Sequence, residues 1–309
     1  MTPDRIGFIG TGNLGVGMAT RLLEARKSLT VCDTNLAAVA PLRERGAHVA
    51  STPHEVADRS EIVFACLPSQ EVSREVALGV EGIYKGKAIK VYVELSTIGR
   101  TCIKAIADGL EPAHIGLLDA PVSGGTARSR EGRLSMIVSG SRENIEHARP
   151  HLETIARKIT VIGDKPGMAQ IAKLVNNNLS KIGKVAAYES IVMGVKAGLD
   201  AKTLLDFINA SGGRNYTTME RIPEEILNRR FKEKGTLHIS FKDAQLVLDE
   251  AKALGAPLWL AKHVMELYEE AAAHGYMERS TSVMIQYIEK LAGVEVRGPD
   301  ATETYPVKK

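Results

Sequence analysis

Apolar residues in the first half of the chain gather in short runs with little polar alternation. These are Arg5–Ile9, Leu29–Cys32, Glu61–Leu67, Ile89–Glu94, Ile115–Asp119, Leu134–Ser139 and Lys158–Ile162. Runs of Val, Ile and Phe without alternation suit strands covered on both faces. Between most of them apolar positions recur at helical spacing, as in Leu14–Ala25 and Asn35–Arg45. Strand and helix in alternation predict a parallel sheet with helices on both faces. The pattern changes after Gly163. Pro166 suits a first helical turn and opens an apolar-rich stretch to about Ala197, ended by Gly198. Apolar residues fall on nearly every side of it, which predicts a helix buried between two bodies. Beyond it only helical spacing is found, over Ala201–Asn209, Phe241–Leu254, Pro257–His274 and Ser280–Leu291. From Val294 the periodicity is lost and a loosely attached tail is expected. The chain thus reads as an α/β domain over 1–164, an interdomain helix over 165–197, an all-α domain over 198–293 and a tail over 294–309.

Composition narrows the function classes. A formal net charge of +3 is too small to suggest a nucleic-acid or membrane-surface partner. Every apolar stretch is broken by Lys, Glu or Asn short of the ~20 residues that a membrane span needs. No basic segment followed by an apolar one opens the chain, so no secretory signal is read and the cytoplasm is expected. Aromatic residues make up only 5%, so the core depends on aliphatic side chains, Ala and Met. Cys32, Cys66 and Cys102 form no C-x-x-C pair, and each lies in or near an apolar stretch. They read as buried thiols of a reducing compartment. The His residues show no ligand spacing, and no metal site is predicted.

The first chemistry appears at the N-terminus. Gly10-Thr11-Gly12-Asn13-Leu14-Gly15 is a G-x-G-x-x-G segment between a predicted strand and a predicted helix. Glycines there permit a tight turn and close backbone approach, and the helix N-terminus meets a pyrophosphate. Asp33 ends the second strand, 18 residues past Gly15, where it can accept hydrogen bonds from an adenosine ribose. Its carboxylate would repel a 2′-phosphate, so NAD is favoured over NADP, although Thr34 and Asn35 leave some tolerance. The plainer reading, a tight turn that binds no nucleotide, does not explain Asp33. The fold expected is α/β, with an N-terminal Rossmann-type doubly wound sheet, a long connecting helix and a C-terminal all-α domain.

Three further motifs follow in order. Asp119-Ala-Pro-Val-Ser123-Gly124-Gly125 follows a strand, and its paired glycines free backbone N–H groups to face an anion. Gly167-Met-Ala-Gln-Ile-Ala-Lys173-Leu-Val-Asn176-Asn177 begins the long helix, and Phe241-Lys242-Asp243 opens a later one. Lys173 and Asn177, four apart, share a helix face. A buried amine and amide need polar partners, and burial favours the neutral amine that can take a proton. A lysine in an arbitrary helix would instead reach out to solvent.

Together these motifs closely resemble the β-hydroxyacid dehydrogenase family, which includes 3-hydroxyisobutyrate dehydrogenase and tartronate semialdehyde reductase. The resemblance runs over about residues 5 to 292. It implies that Lys173 is the catalytic lysine and that Asn177 orients the substrate. It implies that Ser123, Gly124 and Gly125 hold a substrate carboxylate, that Thr97 and Lys242 lie near the nicotinamide, and that Leu67 and Pro68 cover the cofactor. Ser211-Gly212-Gly213-Arg214-Asn215-Tyr216 looks like the Ser-Ser-Gly-Arg segment of the hydroxyisobutyrate branch, with Tyr216 where that branch carries Trp; Arg214 is a second candidate for the substrate. Ser280 stands where relatives often have Asp, which removes an acid near the active-site mouth.

The activity implied is hydride transfer between NAD and a small β-hydroxy acid, with Lys173 as acid/base, in a homodimer or homotetramer. An imine reductase of the same fold usually has Asp or Tyr in place of the lysine. The decarboxylating 6-phosphogluconate dehydrogenases have a much longer helical domain. A catalytically silent NAD-binding protein would have no need of Lys173, Asn177 and Ser123 together.

Overall fold

The computed structural model describes residues 5–25, 28–231 and 235–301. The chain forms two compact units that part between Leu174 and Val175. In the first, strands β1 (Arg5–Ile9), β2 (Ser28–Cys32), β3 (His48–Val49), β4 (Ile62–Ala65), β5 (Val91–Glu94), β6 (Gly116–Asp119), β7 (Val122–Ser123), β8 (Leu134–Ser139) and β9 (Ala156–Gly163) make one sheet. Their order is β3-β2-β1-β4-β5-β6-β8-β7, with β9 paired to β8. The strands from β3 to β6 are all parallel, as the alternation predicts. β8 runs antiparallel to β6 and β7, a departure from the all-parallel expectation. The reason is length. Between β7 and β8 the chain has only the short helix over Gly125–Arg130, too little to carry it back to the start of a parallel neighbour.

The helices of this unit are α1 (Gly15–Glu24), α2 (Leu36–Glu44), α3 (Pro53–Arg59), α4 (Gln70–Leu78), α5 (Gly99–Leu110), α6 (Gly125–Arg130) and α7 (Arg142–Ile155). Two apolar clusters account for the unalternated strands. In β4, Ile62 and Phe64 join one cluster with Met18, Leu22 and Val93, while Val63 and Ala65 join the other with Tyr92, Ile103 and Ile106. Successive side chains of a strand point to opposite faces, so both faces of β4 are covered.

The long helix α8 (Met168–Lys196) starts in the first unit and continues in the second. The break between units therefore falls inside it, one residue past Lys173, and not at its start. In the chain by itself Val175, Leu179 and Met193 are exposed on α8, so burial on every side is not met within one copy. The second unit adds α9 (Ala201–Ala210), a π-helical segment (Thr217–Ile226), α10 (Leu237–Leu254), α11 (Trp259–Ala273) and α12 (Met284–Ala292). Tyr188, Ile191, Ile222, Ile226, Leu237, Tyr268 and Ile285 lie in its core.

The expected loose tail is tied down over its first residues. Val296 is fully buried, its N–H donates to Glu289 Oε1 at 2.8 Å, and its carbonyl accepts from Arg229 Nη1 at 3.1 Å. Gly298 N–H donates to the Leu227 carbonyl at 2.8 Å. The rest of that predicted tail, 302–309, lies outside the described residues.

Candidate active site

The turn after β1 is shaped by its glycines. Gly10 has φ +86°, and a Cβ there would lie 2.3 Å from the Cys66 carbonyl oxygen. A Cβ on Gly15 would lie 1.9 Å from the Gly10 carbonyl oxygen, so α1 closes directly onto the loop. At Gly12 nothing lies within 4 Å of the same position, which leaves an open, Cβ-free face beside the start of α1. No side chain caps the N-terminus of α1, although the Val16 N–H already donates to the Gly12 carbonyl at 3.0 Å, and the positive end of the helix dipole attracts an anion. This cradle fits the pyrophosphate of a dinucleotide. Asn13 stands exposed at its rim and Leu14 is half-buried.

Asp33 ties the loop to the end of β2. Its Oδ2 accepts from the Thr11 N–H at 2.7 Å and from Thr11 Oγ1 at 3.2 Å, and its Oδ1 accepts from the Asn35 N–H at 2.8 Å. Thr11 is itself buried, so its side chain holds the loop from within. Half-buried Asp33 keeps acceptor capacity for ribose hydroxyls, since a carboxylate has about four lone-pair sites.

The loops after β4 and β5 share a buried carboxylate. Glu94 accepts from the Tyr92 hydroxyl and the Ser96 N–H, both at 2.9 Å, and Ser96 Oγ accepts from the Leu67 N–H at 2.7 Å. Burial pushes the Glu94 carboxyl above the usual range. Leu67 is thereby fixed beside exposed Pro68, and Thr97 follows half-buried.

Asp119, at the end of β6, joins the sheet to α8. Its Oδ2 accepts from the N–H groups of Gly167 (2.9 Å) and Gln170 (3.0 Å) and from Ser139 Oγ (3.2 Å). Burial pushes the Asp119 carboxyl up, and the hydrogen bonds from Gln170 and Gly167 oppose that. The Gln170 side chain is wholly buried. Nε2 donates to Asp119 Oδ1 (2.7 Å) and the Ser96 carbonyl (3.0 Å), and Oε1 accepts from the N–H groups of Ile98 (2.9 Å) and Gly99 (3.0 Å).

One turn on, Lys173 is only 8% exposed. Its Nζ donates to the Val122 carbonyl at 2.8 Å and to Ser123 Oγ. Ser123 leads into Gly124 and Gly125, both at positive φ, with open space around the second. Lys173 and the start of the Ser123–Gly125 loop are thus brought together.

In the second unit Asp243 gathers three groups. Asn177 Nδ2 donates to its Oδ2 at 2.9 Å, Lys181 Nζ lies 3.9 Å from the same oxygen, and Lys242 Nζ lies 3.3 Å from Oδ1. Lys184 Nζ donates to Thr281 Oγ1 at 3.0 Å. Arg221, from the π-helical segment, meets fully buried Glu225 at 2.6 Å, and Ser282 Oγ donates to the other oxygen of Glu225. Arg214 is exposed and, among the described residues, joins none of these groups. Its neighbour Asn215 instead holds the start of the π-helical segment through Thr217 and Thr218. Ser280 accepts from the Ser282 N–H at 3.3 Å.

Sequence reasoning passed over Gln170, Lys181, Lys184 and Arg221. The first three had a signal, because they lie at −3, +8 and +11 from Lys173 along one predicted helix. Arg221 had none, since the π-helical segment was not predicted. Among the described residues no group of His, Cys, Asp or Glu is placed to hold a metal. Among them, too, no helix is long and apolar enough to cross a membrane.

The chain is similar to known proteins along most of its length. Residues 5–163 match the model of the NAD-binding domain of 6-phosphogluconate dehydrogenase. Residues 167–288 match that described as NAD-binding of NADP-dependent 3-hydroxyisobutyrate dehydrogenase. A 3-hydroxyisobutyrate dehydrogenase of Pseudomonas aeruginosa is 34% identical over 87% of this chain and 93% of its own. The 2-(hydroxymethyl)glutarate dehydrogenase of Eubacterium barkeri is 31% identical over 95% of this chain and 98% of its own. Among solved structures, 3-hydroxyisobutyrate dehydrogenase of Mycobacterium tuberculosis with L-serine superposes with a TM-score of 0.86, at 27% identity, covering 93% of this chain and 99% of that one.

Proposed function

Because the chain belongs to the β-hydroxyacid dehydrogenase family and binds NAD, we propose that it oxidises small β-hydroxy acids, or reduces their oxo partners, with Lys173 moving the proton. The observation that carries this reading is the buried Lys173 amine, held by Val122 and Ser123 beside the Gly124–Gly125 turn.

The Gly10–Gly15 loop and Asp33 would hold NAD, which supplies the acceptor for the carbinol hydride. Lys173, as the neutral amine, takes the proton from the substrate hydroxyl; as ammonium it returns that proton to the carbonyl oxygen in reduction. The Val122 carbonyl and Ser123 Oγ hold Nζ to one place, so the amine needs little reorganisation. Ser123 accepts from Lys173 and keeps its own O–H to donate to a substrate carboxylate, with the Gly124 and Gly125 N–H groups beside it. Asn177, braced by Asp243, orients the hydroxyl. Thr97 and Lys242 are assigned to the nicotinamide end of the cofactor and Arg214 to the substrate. Asp33 makes NAD the preferred cofactor, with NADP used less well.

Exposed Val175, Leu179, Met193 and Trp259 favour a homodimer or homotetramer, since single chains seldom leave so many large apolar side chains in water. That Cys32, Cys66 and Cys102 form no disulfide favours the cytoplasm.

The test is a turnover screen with NAD over 3-hydroxyisobutyrate, serine, glycerate, 3-hydroxypropionate, threonate and phenylserine. Lys173→Ala is expected to lower kcat by about 10² to 10⁴, with NADH fluorescence still reporting binding. A variant within a fewfold of wild type would show that another group handles the proton.

A further inference from the structure

We propose that Lys184, with Lys181 and Arg221, forms an anion subsite in the helical unit that takes a second carboxylate, so that the preferred substrates are dicarboxylic β-hydroxy acids. This rests on the reading that hydroxy acids are oxidised at Lys173, and it narrows their class.

The first support is placement. Lys173, Asn177, Lys181 and Lys184 follow one another at spacings of four, four and three residues, which keeps them on one stripe of α8. At about 1.5 Å of rise per residue, Lys184 stands about 10 Å along the helix from Asn177. A substrate oriented by Asn177 and extended along this stripe by a few carbons brings its far end to Lys181 and Lys184.

The second support is charge. Around this stripe stand four cations, Lys181, Lys184, Arg221 and Lys242, and two carboxylates, Glu225 and Asp243. Both carboxylates are already engaged. Glu225 is held by Arg221 and Ser282, and Asp243 by Asn177, Lys181 and Lys242. Among the described residues Lys184 has no carboxylate partner; its one hydrogen bond goes to a neutral hydroxyl, Thr281 Oγ1. Lys184 as a residue is half-buried, with its amine set deep in the packing of the unit. An enclosed ammonium without a counter-charge is costly to keep. A ligand carboxylate would supply that counter-charge.

The electrostatics agree. Burial, and after it the charges of Arg221 and Lys181, push Lys184 down to about 7, with Glu225 opposing weakly. Burial likewise lowers Lys181, against the attraction of Asp243. At Lys184 the neighbouring cations outweigh the one carboxylate that acts on it. Arg221 uses Nη1 on Glu225, and its planar fork retains further N–H donors for a carboxylate.

The experiment compares kcat/KM for 2-(hydroxymethyl)glutarate and 3-hydroxyisobutyrate in wild type and in Lys184→Met, with Lys184→Gln as a second variant should the methionine disturb folding. Wild type should favour the dicarboxylate at least tenfold, and the variant should lose at least tenfold of that ratio, chiefly through KM. Lys184→Arg should recover part of it. A purely structural lysine would lower both activities together and leave the ratio where it was. Glutarate alone should raise the Tm of wild type and not that of the variant, by mass action on the folded state. If the ratio moves less than twofold, or if glutarate protects neither protein or both equally, the subsite is overturned, while turnover of the monocarboxylate would leave the reading at Lys173 standing. If neither acid is oxidised, the reading at Lys173 fails, and glutarate protection alone decides whether the anion site exists.

Discussion

Gln170→Leu removes a side chain that has no exposure and joins three segments of the first unit. The substitution keeps the volume and the helix, so its effect is that of lost hydrogen bonds. Four groups lose a partner: the N–H of Ile98, the N–H of Gly99, the carbonyl of Ser96 and Oδ1 of Asp119. A buried polar group left unsatisfied costs about 1–3 kcal/mol, and the burial of added apolar surface by Leu offsets part of the sum. A net loss of about 3–5 kcal/mol is expected, at the upper end for single substitutions. For a unit of this size each kcal/mol corresponds to roughly 2–4 °C, so Tm should fall on the order of 10 °C. Circular dichroism melts of the purified chain, with urea unfolding beside them, read this directly. Lys173 lies one turn further along α8, and kcat should fall in the same variant. A melt within about 2 °C of wild type would refute the reasoning, because it would mean that the junction of β5, β6 and α8 is held by packing alone.

Asp33→Ser should narrow the preference for NAD over NADP, measured as the ratio of kcat/KM values; equal use of both cofactors by wild type would remove Asp33 as the discriminating group. A hydroxy acid should lose more than tenfold in kcat/KM when its carboxylate becomes a primary amide, since hydrogen bonds to a charged group contribute roughly 1.5–3 kcal/mol each. An amide that reacts as well as the acid would show that Ser123–Gly125 does not read a carboxylate. Lys184, lowered from 10.5 to about 7, gives a signed pH dependence. Between those values the unfolded chain binds the proton and the folded one does not, so stability gained from this group rises with pH from about 7 upward. Wild type should therefore gain stability relative to Lys184→Met between pH 7 and 9 in ligand-free urea titrations, and a wild type that loses stability relative to the variant over that range would contradict the assigned burial.

The parts of this protein that were legible in the sequence are those governed by local rules. β1 was read at its true bounds because Arg5–Ile9 is a short apolar run ended by a glycine turn. The motif glycines were legible because Gly10 and Gly15 have no room for a Cβ. Lys173 and Ser123 were read from separate motifs, and the hydrogen bond between them is set by tertiary packing. The reversal of β8 was hidden because an apolar run carries no record of strand direction. The π-helical segment was hidden too. Thr217–Ile226 spaces Met219, Ile222 and Ile226 as an ordinary helix would, and its wider turns are held by contacts that this spacing does not record, among them Asn215 with Thr218 and the Arg221–Glu225 pair. Lys184 was visible as a lysine on a helix. That its amine meets the Thr281 hydroxyl and, among the described residues, no carboxylate depends on packing far away in sequence.

The segment past α12 also bears on the order in which the protein can be completed during synthesis. Arg229 is 3% exposed, and its guanidinium meets Glu289 at 2.7 Å, Glu295 at 3.2 Å and the Val296 carbonyl at 3.1 Å. Two of those three partners are translated after every helix of the unit. The sheet unit can close on the ribosome as its strands emerge, since domains generally fold as units with the N-terminal one first. The helical unit has no such option: until residue 298 has cleared the ribosome, a cation meant for the interior lacks most of its partners and Leu227 lacks the cover of Gly298. Translation pausing or a nascent-chain break upstream of Val294 would thus leave a finished nucleotide-binding half attached to a helical half that chaperones must hold.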